Sequence, residues 1–394
     1  MISFAPEGVI QVQLLLERGR IAAVRLRPRP LPPLKALLKG RQADQAARML
    51  PRLFSLCRIA QTCAALNAIE QALGVAPPPA QSAARLVLTL AETIQEHATR
   101  LTLDGPLAFG QAPDVETAKA VRRQIAALAP LICENDGWIR PGGGSLSPKP
   151  HDLADWLEEL RRLILSGLMA GRDVSALLEV KDLRDWAQGQ GSAPARLLQA
   201  LLKPGLAGFG ASATGLMGHL DSGQVMARLA ASDWESYAQA PQTAAGLCLE
   251  TGPLARQNDH RLIRTLEAES GHGLAARILA RLLELAQTLT GIALALPLLM
   301  EGEGVDLPIA GGVGLGAAEA ARGRLFHWVR LDAGRIEEYR LLAPTEWNFH
   351  PEGAFVQGLK GAEAADAETA SALARRQGLA LDPCVGLEIE VSHA

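Results

Sequence analysis

The rest of the chain is organised around the stretch Arg52-Leu-Phe-Ser-Leu-Cys57-Arg-Ile-Ala-Gln61-Thr-Cys63-Ala-Ala-Leu-Asn-Ala-Ile-Glu70-Gln-Ala-Leu73. Apolar residues recur in it at helical spacing, and Ala, Leu, Gln and Glu are good helix formers. Pro51 suits a first helical turn, where an amide hydrogen is not needed, and Gly74 is a typical stop. The pattern predicts a buried amphipathic helix that begins near Pro51 and ends before Gly74.

Cys57 falls in the first turns of this predicted helix. There the positive end of the helix dipole, together with Arg52 and Arg58, favours a thiolate, and a thiolate is a preferred ligand of soft metals. A lone cysteine on an apolar helix is more often just a small buried hydrophobic residue. What changes this balance is a second cysteine, Cys384, near the other end of the chain.

Composition excludes several classes of protein. The 394 residues are 48% hydrophobic and carry a net charge of −3, which argues against a nucleic-acid partner. The N-terminus lacks a signal-peptide pattern, and Gly291–Met300 is apolar but too short to span a bilayer, so we expect no membrane insertion. The five cysteines are scattered and odd in number, which does not suit a disulfide framework and fits a reducing cytoplasm.

Two alternating patterns predict β-hairpins near the two ends of the chain. Val9–Leu16 and Arg20–Pro28 form the first, and Arg324–Leu342 forms the second, with a turn at Asp332-Ala-Gly334. Between them helical patterns dominate, including a very long helical region from His260 to Ala295 that suits the core of a bundle. The sequence therefore predicts an α+β fold that is mostly α, with a long-helix bundle core and peripheral β-hairpins.

We expect one domain over residues 1–394. Residues 1–33 are its N-terminal hairpin and proline-rich connector, residues 41–300 its helical core, and residues 319–394 its C-terminal hairpin and the tail with Cys384. Pro204–Gly218 is rich in glycine but matches neither the dinucleotide nor the P-loop fingerprint, so we interpret it as a close-packed loop.

Familiar catalytic and metal-binding motifs are missing from the sequence. It contains no Ser-His-acid triad, Walker loop, His-Glu-x-x-His or Cys-x-x-Cys. His97 has no partner at metal-ligand spacing and is interpreted as a surface or half-buried residue, and His327 and His350, which also lack ligand spacing, as satisfied core or surface groups. Spacing alone supports only a soluble, α-rich protein whose function is open.

Taken together, several segments resemble the large subunit of nickel-iron hydrogenases. They are Glu250-Thr-Gly-Pro-Leu-Ala-Arg256, Glu319-Ala-Ala-Arg322-Gly-Arg-Leu-Phe-His327-Trp328, Ala343-Pro-Thr345-Glu-Trp347-Asn348-Phe and Asp382-Pro-Cys384, along with the stretch from Arg52 to Glu70. These segments follow the order of the family's motifs and spread over almost the whole chain. The resemblance implies the large-subunit fold.

The departures from that family are equally informative. Its active enzymes hold nickel and iron with four cysteines, but here Phe54 and Leu387 stand at two of the four positions, which leaves Cys57 and Cys384. Two thiolates cannot supply the nickel environment, so no nickel is expected, yet they can hold one iron. Two histidines that follow the family's cysteine pairs are also replaced, by Gln61 and Glu390.

This pattern resembles the HupK/HoxV-type hydrogenase expression and formation proteins, which look like degenerate large subunits. The resemblance implies a non-catalytic maturation scaffold, or metallochaperone. It would receive Fe(CN)2(CO) from the hydrogenase iron-cofactor assembly proteins and deliver it to the apo large subunit of a nickel-iron hydrogenase. Arg322 and Thr345 match the family's cyanide-binding groups, Asp382 matches an acidic residue near the metals, and Cys57 and Cys384 would be the iron ligands.

Two other classes of function remain open at this point. A metal-free interaction factor could keep the fold and act as a chaperone for hydrogenase assembly. A residual hydrogenase or iron-sulfur protein is disfavoured, because a cluster normally requires four ligands.

Overall fold

Helices predominate in the structure, and strands are confined to three small sheets. The computed structural model describes residues 8–189 and 191–393. The strands are β1 (Val9–Glu17), β2 (Arg20–Arg27), β3 (Gly215–Leu216), β4 (Leu249–Glu250), β5 (Gly312–Ala320), β6 (Gly323–Asp332), β7 (Arg335–Leu342) and β8 (Gly386–His393).

The α-helices are α1 (Leu34–Leu38), α2 (Ala43–Leu53), α3 (Arg58–Leu73), α4 (Pro79–Thr99), α5 (Gly105–Ala108), α6 (Val115–Ala126), α7 (Ala129–Ile132), α8 (Pro150–Arg162), α9 (Val180–Gln188), α10 (Ala193–Leu201), α11 (Ser222–Ala230), α12 (Trp234–Gln239), α13 (Pro253–Arg256), α14 (Arg261–Ser270), α15 (Leu274–Ala295), α16 (Pro344–Asn348), α17 (Ala354–Leu359) and α18 (Ala367–Leu381). Two π-helical segments, Arg100–Asp104 and Leu163–Leu168, extend α4 and α8. The predicted α+β class with a helical core is confirmed.

Helix α3 is the centre of the fold, but it begins later than the sequence predicts. The helix expected from Pro51 is two helices, because α2 runs through Pro51 and ends at Leu53. The break places the Phe54 side chain in the cluster beneath β6 and β7, while Cys57 faces a different cluster. These two packing demands override the helix propensity of the stretch. Gly74 ends α3 in the left-handed conformation, as predicted.

Strand β5 lies directly on the backbone of α3. Three glycines spaced two apart face the helix, and a β-carbon at any of them would overlap a carbonyl oxygen of α3. The pairs are Gly312 with Ala72, Gly314 with Ala68, and Gly316 with Ala64. Every second residue of β5 therefore lies opposite every fourth residue of α3. Because these strand residues are glycines, the two backbones pack closer than side chains would allow.

Both predicted hairpins are present, and each gains a third strand that the sequence analysis missed. β8 pairs in parallel with β1, from Val9 opposite Gly386 to Leu16 opposite His393. β5 pairs antiparallel with β6. The glycines of β5 weaken the local signal for a strand. β8, in contrast, carries a period-two alternation of Leu, Ile and Val with Glu that is visible in the sequence.

The region from His260 to Ala295 is two helices, α14 and α15. Gly271 adopts a φ of +73°, and a β-carbon at Gly273 would overlap the carbonyl of Ala207. The glycine-rich loop before α11 thus packs closely against the start of α15, as interpreted from its sequence. Leu274–Leu298 is long and apolar enough to cross a membrane, but 67% of its most apolar window is buried within the fold. Since the central helix of a packed core has the same properties, this is weak evidence for a membrane span.

His327 on β6 is a fully buried structural histidine. Its Nε2 lies 2.6 Å from Oε1 of Gln61 on α3, and its Nδ1 lies 2.7 Å from the hydroxyl of Tyr339 on β7. The amide oxygen can only accept, so Nε2 carries the proton and Nδ1 accepts from Tyr339. Burial lowers the pKa of His327 to about 3.

The close approach of β5 and α3 predicts the effect of one added methyl group. We expect Gly314→Ala to lower the free energy of unfolding by about 3 kcal/mol, because the helix backbone cannot yield to the methyl without repacking. Gly302→Ala is the matched control, since no atom lies within 4 Å of its added β-carbon. Urea unfolding followed by tryptophan fluorescence measures both, and equal midpoints for the two variants would contradict this account.

His327 also predicts acid sensitivity. The unfolded chain takes up a proton at this residue near pH 6.5, whereas the folded chain does so only near pH 3. Stability is therefore lost as the pH falls below 6.5, at up to ~1.4 kcal/mol per pH unit from this residue. We expect His327→Gln to flatten the fall in unfolding free energy over this range, compared with His151→Gln at an exposed site. Parallel profiles for the two variants would show that His327 does not titrate this way.

Candidate metal centre

The two cysteines retained from the hydrogenase pattern lie side by side. Sγ of Cys57, just before α3, is 3.9 Å from Sγ of Cys384, which lies between α18 and β8. Both are buried, with 3% and 8% of their surfaces exposed, and neither is in a disulfide. Two thiolates that share one metal at bond lengths of about 2.3 Å lie roughly 3.3–3.8 Å apart. At 3.9 Å the pair lies just outside this range, so a small closing movement would bring both sulfurs onto a single metal ion.

One proton is held unevenly between the two sulfurs. The hydrogen bond to Cys384 and burial raise the pKa of Cys57 well above its usual range. The hydrogen bond from Cys57, together with the charge of Arg322, lowers the pKa of Cys384 to about 7 against the opposing effect of burial. These influences oppose the thiolate expected at Cys57 from its place near the start of α3.

Asp382 holds three arginines at the floor of the site. Its carboxylate lies 2.7 Å from Arg100, 3.1 Å from Arg281 and 3.3 Å from Arg322. Burial alone would raise the pKa of Asp382, but these three charges outweigh it and hold the pKa well below its usual range. Asp382 is thus an anion that fixes the arginines rather than a free metal ligand. The π-helical turn that begins at Arg100 brings the first of them into place.

Arg322, between β5 and β6, brings hydrogen-bond donors to the sulfur pair. Its side chain is 1% exposed and lies 2.8 Å from Glu96. The ion pairs with Glu96 and Asp382 are close but poorly aligned, so Nε, Nη1 and Nη2 make no hydrogen bond within the described residues. Its charge acts on both thiols. Buried guanidinium donors of this kind suit a small ligand with a lone pair, such as the nitrogen of a cyanide.

Thr345 completes the cluster from the first turn of α16. Its Oγ1 accepts a hydrogen bond from the backbone N–H of Cys384 at 3.3 Å, and the side chain is 2% exposed. The structure thus brings all five predicted site residues into one buried cluster, although they come from four separate parts of the chain. They are Cys57, Arg322, Thr345, Asp382 and Cys384.

Several residues at the site were missed from the sequence. Glu92 on α4 accepts hydrogen bonds from the backbone N–H groups of Ile59 and Ala60, and burial raises its pKa to about 7. Glu96, one turn later, pairs with Arg322. The amide nitrogen of Gln61 lies 3.8 Å from Sγ of Cys57. Their signals in the sequence were the i, i+4 pair of acids on α4 and the replaced histidine position of Gln61.

Over residues 8–189 and 191–393, the two sulfurs are not part of a larger group of potential metal ligands. Among the described residues, no group of three or more His, Cys, Asp or Glu side chains could hold a metal ion. Any metal bound here would have the two sulfurs as its protein ligands and would need other ligands of its own. A low-spin iron that already carries cyanide and CO meets that requirement.

Comparison with known proteins places the fold. Residues 261–386 match the family model described as "Nickel-dependent hydrogenase". The nickel-iron-selenium hydrogenase from D. vulgaris Hildenborough superposes with a TM-score of 0.67 at 19% identity, covering 94% of this chain and 95% of that one. This likeness shows a shared fold, and it confirms the large-subunit architecture implied by the sequence motifs.

Comparison with curated proteins identifies the family. The hydrogenase expression/formation protein HupK of Bradyrhizobium diazoefficiens is 34% identical over 396 residues, covering 100% of this chain and 99% of that protein. HupV of Azotobacter chroococcum, named in the same way, is 33% identical over 98% of this chain and 99% of its own length. On this full-length similarity, the chain belongs to the family of hydrogenase expression/formation proteins that includes HupK and HupV.

Proposed function

We propose that this protein is a hydrogenase maturation scaffold that carries the Fe(CN)2(CO) unit in the cytoplasm. It would take the unit from the iron-cofactor assembly proteins and deliver it to the apo large subunit of a nickel-iron hydrogenase. The names of its relatives support a role in hydrogenase formation. The observation that carries the finer proposal is the pair of sulfurs 3.9 Å apart, close enough to Arg322 for its charge to act on both thiols, while the guanidinium nitrogens make no hydrogen bond among the described residues.

A carrier must release its metal, and the ligand set suits release. Two thiolates hold iron less firmly than four, so the cargo can move to a site that offers more sulfur. The two lost ligand positions now serve packing, since Phe54 lies in the cluster beneath β6 and β7 and Leu387 lies against the cluster beneath β1. This supports a non-catalytic role without nickel.

Loading requires the site to open. Cys57 and Cys384 are only 3% and 8% exposed, so a cargo of this size reaches the sulfurs only if the surrounding chain moves. Cys57 and Asp382 both adopt positive φ angles, +46° and +55°, in short segments outside the regular elements. These segments are the parts of the site that can move without disrupting a helix or strand.

The same burial of the sulfurs favours a second candidate, a metal-free interaction factor. In that case the buried cluster would be a structural remnant of the large-subunit site. The two candidates differ in whether the cysteines are needed for hydrogenase maturation.

The cysteine variants separate these candidates. We expect the wild type, purified anaerobically from a host with the maturation machinery, to contain about one iron per chain and to show infrared bands of CO and cyanide. Cys57→Ser and Cys384→Ser should lose the iron, the bands and support of maturation, whereas Cys248→Ser, in a part-exposed loop, should keep all three. If the serine variants lack iron but still support hydrogenase maturation, the carrier proposal is overturned in favour of the metal-free interaction factor.

Arg322 predicts a separate spectroscopic effect. Arg322→Lys keeps the positive charge between Glu96 and Asp382 but removes the fork of donors. We expect the cyanide bands to move more than the CO band, and the iron to be lost faster during gel filtration. Arg324→Lys, two residues along and paired with Glu319, should leave the spectrum unchanged. Identical spectra for the Arg322 variant and the wild type would remove Arg322 from the cyanide site.

A further inference from the structure

Strand β8 is an edge strand with one side unpaired among residues 8–189 and 191–393. The sheet order is β2-β1-β8, so β8 has a partner only on its β1 side. No residue of β8 makes a backbone hydrogen bond to the described residues outside this sheet. Every second residue of the strand therefore points its N–H and C=O groups outward, as a template for another strand.

The outer face of this sheet has a graded pattern of charge. Two cross-strand rows run from basic through neutral to acidic: Arg25, Gln13 and Glu390 form one, and Arg27, Gln11 and Glu388 form the other. All six side chains are exposed. Because directly opposed residues on neighbouring strands interact, a strand added beside β8 would meet Glu388 and Glu390 on this face. Basic side chains two residues apart would complete both rows.

The inner face of β8 is apolar and only half covered. Leu387, Ile389 and Val391 lie against the cluster that contains Ile10, Val12 and Leu14, but all three remain partly exposed. An added strand with apolar residues between its basic ones would cover them. The two faces of β8 together therefore favour an added strand in which basic and apolar side chains alternate.

We propose that the outer edge of β8 is a docking site for an extended segment of the partner that exchanges the cargo, a segment with alternating basic and apolar side chains. The segment adds as a fourth strand by backbone hydrogen bonds, and Glu388 and Glu390 select its basic positions. Cys384 lies only two residues before β8, a span of about 7 Å in an extended chain. A partner docked on this edge is thus held beside a cargo ligand.

A second copy of this chain is the other occupant with suitable chemistry, since β2 carries Arg25, Leu26 and Arg27 in the required alternation. Two observations count against it. The outer edge of β2 is already closed at its start, where Ile21 N–H donates to Ala362 O and Gly361 N–H donates to Ile21 O. Pairing of β2 with β8 of a second copy also joins two different surfaces, which does not close and would produce open-ended chains.

A designed peptide tests the edge without cargo. The probe is a fluorescent Lys-Val-Arg-Leu-Arg-Val-Lys peptide, and its counterpart has Glu at each basic position. We expect the full, metal-free chain to bind the basic probe and not the acidic one in fluorescence anisotropy. The double variant Glu388→Lys/Glu390→Lys should weaken binding by about tenfold or more, because two favourable pairs become repulsive. Glu301→Lys/Glu303→Lys, the same change of charge at exposed residues away from the sheet, should bind like the wild type.

Each result of these binding measurements either supports or overturns the proposed docking site on β8. Loss of binding in the β8 variant alone, with an unchanged melting temperature, supports the docking site. Equal binding by both double variants, or no binding of the basic probe at millimolar concentration, overturns it. The free chain could also self-associate in sedimentation velocity, and the β8 variant could abolish this self-association. That result would identify a second copy of the chain as the occupant of the β8 edge and would also overturn the proposal. The identity of the partner rests on the proposed function, but the measurement needs no iron, so either can fail without the other.

Discussion

Backbone-to-backbone packing of β5 on α3 is the constraint on which the site depends. The three facing glycines of β5 let the strand lie against the carbonyl groups of the helix. That approach sets the position of Arg322, the second residue after β5, relative to Cys57, which directly precedes α3. A thicker side chain in this layer would separate the guanidinium group from the sulfurs. The site therefore inherits its geometry from residues that carry no functional group at all.

Helices and strands whose apolar residues repeat at a regular spacing could be predicted from the sequence. Elements whose shape depends on close packing against another part of the chain could not. The hairpin strands and the end of α3 at Gly74 were predictable because alternation and glycine are local signals. The break before Cys57 and the strand β5 were missed, since both arise from tertiary packing that overrides local preference. β8 is a different case. The alternation of apolar and polar residues that marks it as a strand is present in the sequence, although the segment was predicted only as a C-terminal tail.

The candidate site shows the same division. Motif resemblance named Cys57, Arg322, Thr345, Asp382 and Cys384, and these residues cluster in the structure. Spacing could not have done so, because Cys57 and Cys384 are 327 residues apart. What the motifs did not supply was the electrostatic frame. Asp382 gathers three arginines, which makes the floor of the site rich in positive charge without a free carboxylate. Such a frame would stabilise the anionic assembly of two thiolates, iron and two cyanides that we propose as the cargo-bound state.

The pairing of β1 with β8 has a consequence for the order of events during synthesis. The ribosome delivers β1 and Cys57 early, but β8, which pairs with β1, and Cys384, which lies beside Cys57, arrive more than three hundred residues later. Contacts this distant in sequence form late and slowly. Until β8 has emerged, Cys57 has neither its second sulfur nor the Asp382 frame beside it. A nascent chain is thus unable to form the two-sulfur site, which can be assembled only after translation has passed Cys384.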